Sequence, residues 1–220
     1  MGARSASEEI PRWRFGLPIR IMATVAPKQP PVFNLPNQLT AARLVLGIVL
    51  FVFIDQGMWI GSIIIFALAA TTDWLDGYLA RRQGLVSTLG RNLDPLVDKV
   101  VVCGAYIFLL PVTDSGLAAW MVTVVVGREL IITGLRSFME MSGAHFGADW
   151  LGKIKMVLQC ATLFLIFAYL ARGEVLGQER PERGWELVRD VSIYAMLVAT
   201  ALSGLQYIWR AFQMLKPENL

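Results

Sequence analysis

The sequence predicts an all-α, polytopic membrane protein: a bundle of six transmembrane helices preceded by an interfacial N-terminal segment. Three observations carry this expectation. The 220-residue chain is 55% hydrophobic with a mean hydropathy of +0.55, well above that of an ordinary soluble domain. Its apolar residues gather into runs near 39–54, 58–81, 94–112, 117–139, 151–171 and 187–210, and a bilayer core takes roughly 20 helical residues to cross. The longer runs must tilt or protrude. Basic residues, finally, concentrate in alternate connections, which assigns an orientation.

Taken in order, residues 1–33 are too charged and Pro-rich to span. No signal-peptide core follows a basic start, so insertion without cleavage is expected. Residues 11–22 mix aromatic, aliphatic and basic side chains as a surface-lying segment does, although a disordered tail fits the same composition. The chain therefore divides into an interfacial segment, 1–33, and a transmembrane domain, 34–215. The first helix opens at Leu35-Pro36-Asn37-Gln38-Leu39-Thr40, where Asn37 and Thr40 read as cap-region residues. Running inward from Met58, the second carries Asp73 about 22 Å along its axis, at the inner interface. Gly84, Ser87, Thr88 and Gly90 read as a turn-rich link. Asp94-Pro95 then opens the third helix with proline at its first position, and Asp98 lies one turn deeper.

The fourth helix holds Arg128 and Glu129 about 16 Å from its start, with Arg136 two turns further on. Glu129 and Arg136 lie near one face, and mutual pairing is their structural explanation. The fifth opens with Gly152-Lys153-Ile-Lys155. Arg4, Arg12, Arg14, Arg20 and Lys28, then Arg81, Arg82 and Arg91, then Lys153 and Lys155 mark the cytoplasmic side, whereas the connections near Gln56 and Ser115 hold no basic residue. Both termini and the aspartates are thus expected to face the cytoplasm. The last connection disagrees, since Arg172, Arg180, Arg183 and Arg189 fall where the outside should be. The formal net charge of +3 is small, and nothing calls for nucleic acid. Cys103 and Cys160 lie within apolar runs, as buried thiols do.

The chemistry concentrates in Asp73-Trp-Leu-Asp76-Gly77-Tyr-Leu-Ala80-Arg81 and Gly90-Arg-Asn-Leu-Asp94-Pro-Leu-Val-Asp98. Helical spacing puts Asp73 and Asp76 on one face of a helix, and Asp94 and Asp98 on one face of the next. Four carboxylates aimed at one place need a cation to stay ionised, and hard oxygen donors suit Mg2+ or Mn2+. Charges inside a bundle are costly unless they serve a function. A cation transporter would also place carboxylates in a bundle, but it needs them near mid-membrane with access from both sides.

The pattern D-x-x-D-G-x-x-A-R, eight residues, then G-x-x-x-D-x-x-x-D resembles the signature of the CDP-alcohol phosphotransferases, and every fixed position matches. The resemblance extends over most of residues 35–210. It implies transfer of a substituted phosphate from a CDP-linked donor, commonly CDP-diacylglycerol, to an alcohol, with release of CMP. It further implies two divalent ions held by Asp73, Asp76 and Asp94 with Asp98 contributing, Asp98 as general base, and a homodimer. Gly77 would let the nucleotide pack on its helix and Arg81 would fork onto the diphosphate. Leu35-Pro36-Asn37-Gln38-Leu39-Thr40-Ala-Ala-Arg43 resembles the family's P-N-x-x-T-x-x-R start, which assigns Asn37 and Thr40 to the donor site.

For the acceptor, Arg128, Arg136, Lys153 and Lys155 suit an anionic alcohol. Gly127-Arg128-Glu129-Leu-Ile-Ile-Thr-Gly-Leu-Arg136 and Gly152-Lys153-Ile-Lys155-Met-Val-Leu-Gln159 are similar to blocks of the bacterial phosphatidylglycerophosphate synthase branch, whose acceptor is sn-glycerol 3-phosphate. That likeness implies a place in the bacterial cytoplasmic membrane. Met156 departs from the branch, which usually has Thr there. Serine, inositol phosphate and phosphatidylglycerol are the other acceptors the fold admits.

Overall fold

The computed structural model describes residues 35–83, 88–141, 150–176 and 183–214. Within them the chain is all-helical: α1 (Leu35–Asp55), α2 (Trp59–Gln83), α3 (Thr88–Leu109), a short 3-10 turn (Thr113–Ser115), α4 (Ala119–Met141), α5 (Trp150–Leu176) and α6 (Arg183–Met214). The N-terminal segment assigned to residues 1–33 lies outside the described residues.

Helix α1 ends because Gly57 takes a left-handed φ of 69°. The Gly57 N–H then reaches the Ile54 carbonyl at 3.1 Å and the Met58 N–H reaches that of Phe53 at 2.9 Å. These two reversed bonds satisfy carbonyls that the last turn would leave bare, and they turn the chain directly into α2. Helix α1 then packs against α2 and α3, α5 against α6 and α2, and α4 mainly against α6. Every helix contributes to one core, which includes Leu50, Phe66, Tyr106, Val125, Phe167 and Met196. Phe66 stands between the rings of Phe164 and Phe167, at 4.8 and 6.0 Å.

The α1–α3 contact is close because glycine occupies alternate sides of it. A Cβ on Gly47 would lie 2.7 Å from Val101 Cγ2, and one on Gly104 would strike the Phe51 ring. Phe51 itself stacks on Phe108 at 4.9 Å. The rungs 47/101 and 51/104 rise in the same direction along both helices, so α1 and α3 run parallel, as a helix pair separated by one return helix must.

Outward-facing positions are apolar. Along α6, Leu187, Val191, Tyr194, Val198, Leu202, Leu205 and Trp209 are all exposed, at intervals of three or four residues. A soluble protein rarely leaves so long an apolar stripe in water, whereas lipid is a matching solvent for it. Gln38–Asp55, Trp150–Gly173 and Arg183–Gln213 are each long and apolar enough to cross a membrane. Those three sit in α1, α5 and α6, and within α2 the described stretch Trp59–Thr72 is a shorter apolar one. The chain is a membrane protein.

Two expectations about α3 need correction. The helix does not start at Asp94-Pro95 but at Thr88, so Thr88 and Gly90 are helical rather than part of the link. Pro95 therefore lies inside the helix, where it offers no N–H to the carbonyl four residues back. The basic residues of the last connection also find a local explanation. Arg189 donates to the Asp114 carbonyl and to Asp190 Oδ1, both at 2.8 Å, and lies over the Tyr169 ring at 4.5 Å. Gly116, with φ of 73°, passes so close that a Cβ there would be 2.6 Å from Arg189 Nε. Arg172 covers the Trp185 ring at 4.8 Å. These two arginines pin the 3-10 turn, α5 and α6 together, so they serve packing as well as any topological signal.

Candidate active site

A cavity of about 340 Å3 opens among α3, α4, α5 and α6, lined by Asp98, Lys99, Arg128, Glu129, Thr133, Arg136, Lys153, Lys155, Gln159 and Tyr207, with Val102, Cys103, Ile132, Gly152 and Met156. Its size falls within the range of about 300–1,000 Å3 common for small-molecule sites. Five basic side chains face it against the carboxylates of Asp98 and Glu129, so an anion is the complementary guest. Residues drawn from three separate stretches of sequence, Asp98, Arg128 with Arg136, and Lys153 with Lys155, thus meet at one place.

The basic residues are held in specific ways. Glu129 is buried and its Oε1 accepts from Lys155 Nζ and, at 3.1 Å, from Arg128. Arg128 also donates to Ser203 Oγ on α6, where the missing side chain of Gly204 leaves room: a Cβ would be 3.2 Å from Arg128 Cγ. The pairing of Glu129 with Arg136 expected from helical spacing is replaced by this cluster. Lys155, reaching from α5, and the adjacent Arg128 already neutralise the carboxylate, which a buried charge requires. Arg136 instead donates to Tyr207 Oη at 3.4 Å. The Tyr207 ring lies under both arginines, 5.8 Å from Arg128 and 5.9 Å from Arg136, an arrangement in which the ring face attracts both cations. Arg136 and Lys153 are exposed, whereas Lys155 is buried. Lys99 Nζ donates to Thr133 Oγ1 at 2.5 Å, bracing α3 against α4.

Asp98 stands where this cavity meets α1. Its Oδ1 accepts from Arg43 Nη1 at 2.6 Å, with the Arg43 side chain 2% exposed and that of Asp98 22% exposed. The Asp98 carboxylate thus lies between a buried guanidinium and the cavity. Arg43, Lys99, Ser203 and Tyr207 were given no role by sequence reasoning. The available signals were a lone arginine one turn after Thr40 in an apolar helix, a lysine adjoining the last aspartate, and Ser203, Gly204 and Tyr207 interrupting the apolar α6.

Thr40 is buried on α1, one turn before Arg43. Asn37 lies in the first turn of α1; Asp73, Asp76, Gly77 and Arg81 lie in the last third of α2, and Asp94 lies one turn before Asp98 in α3. The side chains of these six residues lie outside the described ones. Among the described residues no group of three or more His, Cys, Asp or Glu could hold a metal. Of the four aspartates expected to hold a divalent ion, Asp73, Asp76, Asp94 and Asp98, only Asp98 has a described side chain.

Comparison with known proteins gives this geometry a context. Residues 33–206 match the family described as CDP-alcohol phosphatidyltransferase. A Bacillus subtilis protein named CDP-diacylglycerol–glycerol-3-phosphate 3-phosphatidyltransferase is 32% identical over 203 residues, covering 86% of this chain and 100% of the relative. One of the same name from Pectobacterium atrosepticum is 33% identical over 189 residues, covering 83% and 93%. Among solved structures, the Mycobacterium tuberculosis phosphatidylinositol phosphate synthase with CDP-DAG bound superposes with a TM-score of 0.57. It is 14% identical, and the match covers 86% of this chain and 91% of that one; at that identity the likeness concerns the fold.

Proposed function

The chain belongs to the CDP-alcohol phosphatidyltransferase family, and from that premise we propose that it transfers the phosphatidyl group of CDP-diacylglycerol to sn-glycerol 3-phosphate, forming phosphatidylglycerophosphate and CMP. The observation that carries the choice of acceptor is the cavity in which Asp98 stands beside five basic side chains. An acceptor bearing a phosphate dianion matches that surplus of positive charge; serine, whose net charge is near zero, does not. The curated relatives carry the same activity in their names.

In this reading Arg136 and Lys153, exposed in the cavity, take the acceptor phosphate, and Arg128 and Lys155 stiffen its inner wall through Glu129 while adding positive potential. The acceptor's terminal hydroxyl then lies toward Asp98, which accepts its proton as the oxygen attacks the phosphatidyl phosphorus. The bond from that phosphorus to the CMP oxygen breaks, and CMP leaves. Asn37, Thr40, Gly77 and Arg81 hold the donor. Asp73, Asp76 and Asp94, with Asp98 at the edge, are the residues that would bind two Mg2+ or Mn2+ ions, which would neutralise charge on the diphosphate and the leaving group. Arg43 holds Asp98 in place. We further propose six membrane crossings by residues 34–215, an interfacial segment over 1–33, a cytoplasmic-facing site in a bacterial inner membrane, and a homodimer.

The test is direct. Purified protein is incubated with CDP-diacylglycerol, Mg2+ and a panel of labelled alcohols, and the lipid product is identified. Phosphatidylglycerophosphate as the main product supports the reading; preference for free glycerol, serine or another phosphate-free acceptor overturns it.

A further inference from the structure

One wall of the cavity carries a polar group that the reaction as described does not use. Gln159 is 3% exposed and lines the cavity, yet its Nε2 is buried without a hydrogen-bond partner. Leaving such a donor unsatisfied is costly, and native proteins do so rarely. Its position is not loose. The buried Tyr106 hydroxyl donates to the Gln159 backbone carbonyl at 3.0 Å, which clamps this turn of α5 against α3. Gln159 also follows Lys155 by one turn on the same face of α5, about 6 Å further along the helix.

We infer that Gln159 is a specificity-determining residue whose carboxamide hydrogen-bonds the middle hydroxyl of the acceptor. The inference rests on the proposed acceptor, a three-carbon phosphate with two hydroxyls. One end of that molecule belongs with the basic side chains and the other hydroxyl with Asp98, so the hydroxyl on the central carbon is left to be read by the wall between them. A carboxamide offers both a donor and an acceptor without adding charge, which suits a neutral hydroxyl beside a phosphate. The same group left buried and unmatched would penalise an acceptor that lacks the hydroxyl, and sites built to pair a substrate hydroxyl reject the deoxy analogue strongly.

The experiment compares glycerol 3-phosphate with 3-hydroxypropyl phosphate, which has the same chain without the middle hydroxyl. Each is assayed with CDP-diacylglycerol for wild type and for Gln159→Leu, a substitution of similar volume that removes the unsatisfied amide and so should not harm folding. Thermal unfolding in detergent checks that point, and Gln159→Met serves if the leucine variant does not accumulate. Wild type should prefer glycerol 3-phosphate by about tenfold or more in kcat/KM, the worth of one such hydrogen bond. The variant should lose most of that preference, chiefly by losing activity toward glycerol 3-phosphate. A wild type indifferent to the missing hydroxyl, or a variant that keeps the wild-type ratio, overturns the inference while leaving the proposed reaction intact. Wild-type protein that ignores both phosphate acceptors and consumes another alcohol overturns the reaction itself.

Discussion

Replacing Arg43 by methionine should disable the enzyme through Asp98. Methionine keeps much of the aliphatic stem and removes the guanidinium, so the packing of a side chain only 2% exposed is disturbed little. What disappears is the 2.6 Å charge-assisted bond to Asp98 Oδ1. Bonds of that class contribute about 1.5–3 kcal/mol, which corresponds to a loss of about 10- to 150-fold if it is felt in turnover. The loss should appear in kcat for CMP release, with the KM values for both substrates changing less, because the carboxylate remains but is no longer held toward the acceptor. A double-mutant cycle separates this from general damage. Asp98→Asn alone should be slow, and adding Arg43→Met to it should cost little more, since the charged contact between the two is already gone. Losses that multiply to within about twofold would show that the two residues act independently and would refute the positioning role. Thermal unfolding of each variant in detergent checks that the comparison is made on folded protein.

Three further outcomes are expected. Asp73→Ala, Asp76→Ala and Asp94→Ala should each abolish CMP release without preventing membrane insertion, and EDTA should do the same to wild type until Mg2+ is restored; wild-type rates from any of these in EDTA would remove the metal centre. Arg136→Ala should raise the KM for glycerol 3-phosphate about tenfold or more, at 1.5–3 kcal/mol per charge-assisted bond, and leave that for CDP-diacylglycerol nearly unchanged; an equal rise in both would place Arg136 outside the acceptor site. Gly47→Ala puts a methyl group 2.7 Å from Val101 Cγ2, an overpacking that typically costs about 1–3 kcal/mol, so the melting temperature should fall, and activity should fall with it because Arg43 lies one turn away on the same face of α1.

Sequence alone disclosed the helical class, the aspartate motif and the basic residues that now line one cavity, for a common reason. A charge in an apolar helix has to face protein or water, so the sequence leads one to expect Arg128, Arg136, Lys153 and Lys155 to converge. Their pairing was harder to see. Spacing along α4 suggested Glu129 with Arg136, but the partner that mattered came from α5, and no pattern within one helix reports on another. The contribution of α6 was equally hidden. Ser203, Gly204 and Tyr207 carry no formal charge, and each matters through what it lets Arg128 or Arg136 do. The start of α3 was misplaced because Asp94-Pro95 has the local chemistry of a helix N-terminus; the helix instead begins at Thr88 and carries the proline inside.

The architecture also sets the surroundings of the carboxylate at position 98, beside a cavity otherwise dominated by positive charge. Successive residues of a helix point about 100° apart, so Asp98 and Lys99 cannot face the same neighbour. Asp98 turns to Arg43 on α1 and Lys99 to Thr133 on α4, and α3 becomes the wall between two interfaces. On the α1 side the glycine at position 47 lets the helices approach until Arg43 reaches the carboxylate. On the other side, α4, α5 and α6 assemble the basic cavity around Glu129 and Tyr207. The proposed proton acceptor is thus held from one interface, and the proposed anion site is built largely from the other, with α3 contributing side chains to both.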